Sequence, residues 1–229
     1  MNGVLHAAND GFDWAFHGPK LLLSLGQTVY MVGATLLIGG ALGLLLGIGL
    51  YTTRRDGLLA HRGVFGGLNL LVNVFRPIPF LIMLMIIAPV TVAIVGTRIG
   101  STAMIVPLSF AATFGVSRIV EQNLVAIDPG VIEAARATGA SRWRIVTTLL
   151  VPEALGPLIL GYTFVFVAVV DMSALAGTLN GGGLGFFALD YGYKRWNFEV
   201  VWITVIVIIL LVQLAQAIGN RLARSVLRR

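Results

Sequence analysis

The sequence predicts an all-α, polytopic membrane protein with five transmembrane helices. Hydrophobic residues make up 57% of the 229-residue chain and charged residues 11%, with a mean hydropathy of +0.91. A soluble domain carries roughly a quarter charged residues. The charges also bracket uncharged runs, each close to the ~20 residues a helix needs to cross the hydrocarbon. Finally, Lys and Arg fall mostly on one side of those runs, as the positive-inside rule requires.

The spans follow in order. Leu21 to Thr53 carries no charge and is the first. Its long apolar core, its start at residue 21 and the preceding Asp10 and Asp13 argue against a cleaved signal peptide. Residues 57–75, "GLLAHRGVFGGLNLLVNVF", read as an interfacial helix leading into the second span, or as the first part of a longer second helix. Arg76 and Arg98 bracket 21 uncharged residues, the second span, and Arg98 and Arg118 bracket 19, the third. After Pro152 and Glu153 an apolar run from Ala154 continues past Asp171 as the fourth. Glu199 and Arg221 bracket 21 residues, the fifth. Segment 1–19 is expected outside the membrane and 20–229 to form the membrane domain.

Five spans place the termini on opposite sides. One side receives Arg54, Arg55, Arg62, Arg118, Arg136, Arg142, Arg144, Arg221, Arg224, Arg228 and Arg229. The other receives Lys20, Arg98, Lys194 and Arg195, with Arg76 near a boundary. The richer side is expected to face the cytoplasm, leaving the N-terminus outside and the C-terminus cytoplasmic.

Composition also excludes functions. There is no cysteine, so no disulfide or thiolate metal site. His6, His17 and His61 lie outside the apolar runs, which leaves no expected metal centre and no nucleophile–base pair in an apolar site. The formal charge of +6 does not point to nucleic acid, because the arginines sit at the ends of apolar runs. No phosphate-binding G-x-x-x-x-G-K-[ST] loop is present.

The polar stretch between the third and fourth spans is "VIEAARATGASRWRIVTTLLVPEAL", residues 131–155. Asp128-Pro129 is a helix start, with Asp as N-cap and Pro at the first position. Gly139 suits a left-handed stop. Ser141 can cap a second helix running to Leu150, after which Pro152 opens the fourth span. Glu133 and Arg136 lie three apart and can pair on one face. By spacing alone this is equally an amphipathic connector lying on the membrane.

Glu133-Ala134-Ala135, Gly139 and Pro152 at these spacings resemble the EAA loop of bacterial ABC importer permeases. Leu149 and Val151 stand where that pattern has Ile and Leu. The resemblance implies a type I ABC importer permease fold, a cytoplasmic coupling loop over about 119–152, and docking of its slim helix into an ATPase subunit. It continues in "NVFRPIPFLIMLM", "VGTRIG", "VPEAL" and "GGGLGFFALDYGY", which are similar to the methionine-uptake branch. It then implies a homodimer in the bacterial inner membrane, working with two ATPase copies and a periplasmic or lipoprotein substrate-binding protein. ATP and Mg would be held by the ATPase, with no cofactor in this chain. The implied substrates are L- and D-methionine, and the chain itself would not be an enzyme.

Three places are expected along or beside the path. Arg76, Pro77 and Pro79 form a bend, since proline removes backbone hydrogen bonds and kinks helices; a simple helix-entry kink with a snorkelling arginine fits equally. Asp171, beside Met172 and Ser173, is a carboxylate in a span. It costs about 2.5–3.5 kcal/mol on insertion scales if it sits at mid-bilayer, so it is expected to face protein or water. It can attract an ammonium group, pair with Lys194 or Arg195, or cap a short helix. The resembled permeases carry a small residue here, which leaves room for a more cationic or polar substrate. Gly181, Gly182, Gly183 and Gly185 are too many glycines to sustain a helix. They are expected to form an outer hairpin, re-entrant loop or flexible turn. Gly39, Gly43 and Gly47 give the first span a flat face for packing within the subunit or, with less support, at a dimer contact. An ion-coupled secondary transporter is the other class considered. It has less support, because no internal repeat is evident and the EAA-like loop has no role in it.

Overall fold

The structure, a computed structural model, describes residues 11–227. Expectations placed on His6, Asp10, Arg228 and Arg229 lie outside the described residues. Every regular element among the described residues is helical. The α-helices in chain order are α1 (Trp14–Thr53), α2 (Arg62–Phe75), α3 (Phe80–Val95), α4 (Ser101–Val125), α5 (Pro129–Ala137), α6 (Arg142–Ile145), α7 (Val151–Gly177), α8 (Gly183–Phe187) and α9 (Phe198–Leu227), with a π-turn (Ala188–Gly192) and a 3-10 turn (Tyr193–Arg195) between α8 and α9.

The helix α1 begins seven residues before the uncharged run. The Asp13 carboxylate accepts from the Ala15 N–H at 2.9 Å and caps this end. The Lys20 ammonium lies 2.9 Å from the Phe16 ring centroid, which gives this cation an aromatic face. Residues 14–19, expected as part of an external segment, are therefore one helix with the first span.

The second span is realised as a bent pair. The helices α2 and α3 meet at 114° across Arg76–Pro79. Pro79 has φ −56° and ψ 137°, extended backbone ahead of α3. A residue preceding proline is pushed out of the helical region, so the Pro77-Ile78-Pro79 run cannot continue α2. Gly96, at φ 81°, closes the other end of α3. With 16 residues, α3 is about 24 Å long, short of the ~30 Å hydrocarbon. Four helical runs among the described residues are long and apolar enough to cross a membrane, and five if the bent pair counts as one span.

One expected boundary is absent. Pro152 does not open a new helix: residues Arg142–Gly177 form one 36-residue run. A π-turn, Val146–Leu150, joins α6 to α7, and the Val151 N–H donates to the Val146 carbonyl. Proline lacks an N–H and its ring clashes with the carbonyl four residues back. A widened turn just ahead of Pro152 absorbs that conflict without breaking the helix.

By internal contacts the chain divides into two units. The first takes the chain up to Leu37, Pro79–Phe110 and Phe166–Ala215. Its core is Met31, Met104, Leu108 and Ala176, with a second cluster of Leu21, Leu184, Phe187 and Val200. The other unit takes Ile38–Ile78, Ala111–Val165 and the chain from Gln216. There α1 and α4 approach through glycine. A Cβ on Gly43 would stand 2.8 Å from the Thr113 carbonyl oxygen, and one on Gly47 2.6 Å from that of Ser117. Gly40 instead lies against Tyr162, whose hydroxyl donates to the Gly40 carbonyl at 2.7 Å. The glycine face of the first span thus packs within the chain, and Gly39 is buried.

Candidate functional site

The EAA-like loop folds locally as its residues dictate. The Asp128 carboxylate accepts from the Gly130 N–H at 2.7 Å, and Pro129 occupies the first turn of α5. Gly139 has φ +77°. Its N–H donates to the Arg136 carbonyl (3.0 Å), and the Ala140 N–H donates to the Ala135 carbonyl (3.2 Å). This paired closure satisfies the last carbonyls of α5 and needs a left-handed residue at its pivot. Ser141 then caps α6 by accepting from the Arg144 N–H at 3.3 Å. No residue of α5 is buried, so Glu133, Ala134, Ala135 and Arg136 form a projecting surface.

Glu133 and Arg136 do not pair among the described residues, contrary to the expectation from their spacing. Arg136 instead lines a cavity that α5 and α6 share with the turn after α1. A solvent-exposed i,i+3 pair is worth only a few tenths of a kcal/mol, too little to hold two long side chains together.

Asp171, Met172 and Ser173 are neighbours in sequence but lie on different faces of α7. Ser173 is buried, and its hydroxyl donates to the Val170 carbonyl at 2.7 Å. Met172 packs against the Met31–Met104 core. Asp171 is exposed on the stripe that carries Phe164 and Leu175, seven residues before and four after it, as the helical repeat places them. Among the described residues it has no hydrogen bond or ion pair. Its expected partners are engaged elsewhere: Lys194 pairs with the Asp190 carboxylate at 3.2 Å, and the Arg195 guanidinium donates to the Asp190 carbonyl. Arg76, Pro77 and Pro79 are all exposed at the 114° bend.

The glycine segment is neither a free turn nor uniformly non-helical. Gly182 (φ +76°) and Gly183 (φ +79°) are left-handed, whereas Gly185 lies inside α8. Gly181 and Gly183 are buried. The Gly183 N–H donates to Gln27 Oε1 (2.8 Å) and the Leu184 N–H to Thr28 Oγ1 (2.9 Å), which anchors the start of α8 on α1. Gly185 and Gly177 admit other backbone so closely that a Cβ would overlap the Ala174 carbonyl or the Phe186 N–H. Packing against neighbouring backbone offsets the poor helix propensity of this run.

Two constellations escape sequence reasoning. Arg118 is held by Glu121 (2.5 Å), Asn69 (2.6 Å) and Asn73 (2.5 Å), joining α4 to α2. The one signal in the sequence is Asn69 and Asn73 four apart in an otherwise apolar helix. Gln27 and Thr28 are two uncharged polar residues in a long span, with nothing nearby in sequence to name their partners.

Comparison with known proteins gives this geometry a context. Residues 39–228 match the family model described as binding-protein-dependent transport system inner membrane component. The chain belongs to that family. It is thus a transport component of a membrane system and not an enzyme. It is 42% identical over 213 residues to the probable D-methionine transport system permease protein MetI of Vibrio cholerae, covering 93% of this chain and 95% of that one. It is 34% identical to the methionine import system permease protein MetP of Bacillus subtilis, covering 79% and 81%. A solved structure of the MetNI methionine ABC transporter, in inward-facing conformations, superposes with a TM-score of 0.88 at 38% identity, covering 90% of this chain and 96% of its counterpart. The all-α architecture is therefore that of the importer permeases. The EAA-like loop of this family member is a capped helix, a left-handed glycine stop and a second helix that runs through a π-turn into a span.

Proposed function

We propose that this chain is the membrane-spanning permease subunit of an ATP-driven importer for methionine, L, D or both. The observation that carries the reading is the 42% identity over nearly the whole chain to a permease named for D-methionine transport. The projecting, glycine-stopped α5 supports a coupling role. Glu133, Ala134, Ala135, Arg136, Gly139 and Pro152 are assigned to the loop that docks into a separate ATPase. Two permease copies would work with two ATPase copies, which bind ATP and Mg, and with a substrate-binding protein outside. The chain would sit in a bacterial inner membrane with its N-terminus outside and its C-terminus cytoplasmic.

The mechanism proposed is alternating access. ATP closes the ATPase pair and draws the coupling helices together, and the permease dimer opens outward. Hydrolysis restores the inward-facing state. A rigid, short α5 transmits such a motion because its end is closed by two backbone hydrogen bonds and not left frayed. Arg76, Pro77 and Pro79 are assigned to a bend beside the path, and Gly181, Gly182, Gly183 and Gly185 to an outer gate. Asp171, with Met172 and Ser173 beside it, is the candidate on the path. Its unpaired carboxylate favours a second reading, in which the solute is a more cationic or polar amino acid.

The deciding experiment is uptake of labelled L-methionine by cells lacking their own methionine importers. They express this chain with its candidate ATPase and binding protein. D-methionine, other amino acids and short peptides compete, and a parallel sample carries an ATPase unable to hydrolyse ATP. Uptake blocked by methionine and abolished with the dead ATPase is expected. ATP-dependent uptake competed instead by cationic amino acids supports the second reading. Uptake indifferent to the dead ATPase rejects both.

A further inference from the structure

The turn that follows α1 and the helices α5 and α6 line an open-sided cavity of about 730 Å³. Leu58, Ala60, His61, Arg136, Arg142 and Ile145 are among its walls. The charged side chains on its walls are both guanidinium groups, Arg136 and Arg142. Neither Arg136 nor Arg142 has an ion pair or side-chain hydrogen bond among the described residues. The His61 Nδ1 accepts from the Val64 N–H at 3.2 Å as the cap of α2. A neutral ring therefore carries its proton on Nε2 and has a donor to offer. The Leu59 and His61 N–H groups are spent on the Thr52 and Thr53 carbonyls, which pins the turn to the end of α1. The Ala60 N–H has no acceptor among the described residues. No acid is among the lining residues; Asp56 and Glu133, the nearest in sequence, are exposed. Such a set of donors fits an anion, and paired guanidinium groups fit a phosphate in particular.

The position of the cavity identifies the source of that phosphate. It lies where α1, a membrane-crossing helix, ends and α2 begins. Val64, Leu70, Leu71 and Val74 are exposed on α2, the first limb of the bent span, so the turn joins two apolar helices at a membrane boundary. Arg54, Arg55 and Arg62 flank the same turn. Basic clusters at this depth attract anionic phospholipids. We propose that this cavity binds the phosphate headgroup of an anionic phospholipid, with Arg142 as its principal cation, His61 as a further donor, and Arg136 completing the wall from the α5 side, whose outer face is the one assigned to the ATPase. The site shares α5 and α6 with the loop proposed to dock the ATPase but does not depend on the identity of the transported solute.

The test uses the permease–ATPase complex in nanodiscs of equal phosphatidylcholine and phosphatidylglycerol, with retained lipid counted by native mass spectrometry. Wild type is expected to retain phosphatidylglycerol selectively. Arg142→Gln should lower that selectivity about fivefold, the loss of one interfacial charge, and Arg142→Lys should keep most of it. A single symmetric size-exclusion peak and a wild-type unfolding midpoint in detergent check that each variant is folded. Equal retention of the two lipids, or Arg142→Gln indistinguishable from wild type, overturns the proposal. So does selectivity present in the permease alone and lost in the complex, which would give the cavity to the ATPase. Binding of labelled inorganic phosphate without lipid selectivity would assign it to a soluble anion and likewise overturn the proposal.

Discussion

At the scale of single residues, the glycines of this chain fall into different physical situations despite their shared chemistry. Gly139 needs its φ of +77°, yet a Cβ there would meet nothing within 4 Å. Gly47 is helical, and a Cβ there would stand 2.6 Å from both the Ser117 carbonyl oxygen and Val120 Cβ. Gly115 is helical with open space around it. Gly47→Ala is therefore expected to cost about 1–3 kcal/mol through overpacking, while Gly115→Ala gains up to about 1 kcal/mol from helix propensity. Thermal unfolding of the two purified variants in detergent checks this: a midpoint for Gly47→Ala at or above wild type would contradict the close approach. Asp171 belongs to the same scale. Its type and position in a span were plain in the sequence, but the commitment of Lys194 and Arg195 to Asp190 was not.

Between elements, the polar contacts are few and each joins helices far apart in the chain. Arg118 ties α4 to α2 through Asn69 and Asn73, separated from it by 49 and 45 residues. Hydrogen bonds to a charged group are worth about 1.5–3 kcal/mol, so Asn69→Ala is expected to destabilise by that order. In an Arg118→Gln background most of the loss should vanish, because the two residues act as a unit. A double-mutant cycle on unfolding midpoints measures the coupling, and additive losses would show that the bonds contribute little. Gln27 and Thr28 act similarly on the glycine segment, which becomes an ordered helix start once its N–H groups have acceptors. The bend at Arg76–Pro79 and the π-turn before Pro152 both answer proline. In the first the chain turns by 114°, and in the second the helix widens and continues. Pro77 and Pro79 stand two apart, whereas Pro152 and Pro157 are five apart within one continuous helix.

For the whole molecule, the central expectation is its orientation. The chain has no cysteine, so single introduced cysteines report without background. Arg55→Cys, in the turn after α1, and Trp196→Cys, in the turn before α9, occupy exposed positions assigned to opposite sides. A membrane-impermeant maleimide added to intact spheroplasts is expected to label Trp196→Cys at once and Arg55→Cys only after permeabilisation. The reverse pattern would invert the topology and remove the loop proposed to couple to the ATPase from the cytoplasm. Large apolar side chains are exposed along α9, among them Trp202, Ile206, Leu210 and Leu214, as expected of a helix whose solvent is lipid.

The sequence by itself determined what depends on composition and local chemistry. Hydropathy and charge placement located the apolar runs. Asp128-Pro129, Gly139 and Ser141 marked the ends of α5 and the start of α6, because caps and stops are settled within a few residues. The EAA spacing placed the chain in its family. How the breaks were resolved, and where polar groups found partners, depended on helices brought together by the fold. Whether a proline bends, widens or ends a helix depends on what packs around it. Whether glycine-rich backbone is mobile or anchored depends on acceptors 156 residues away. The cavity beside α5 is of the same kind, since His61 and Arg142 meet only through the fold.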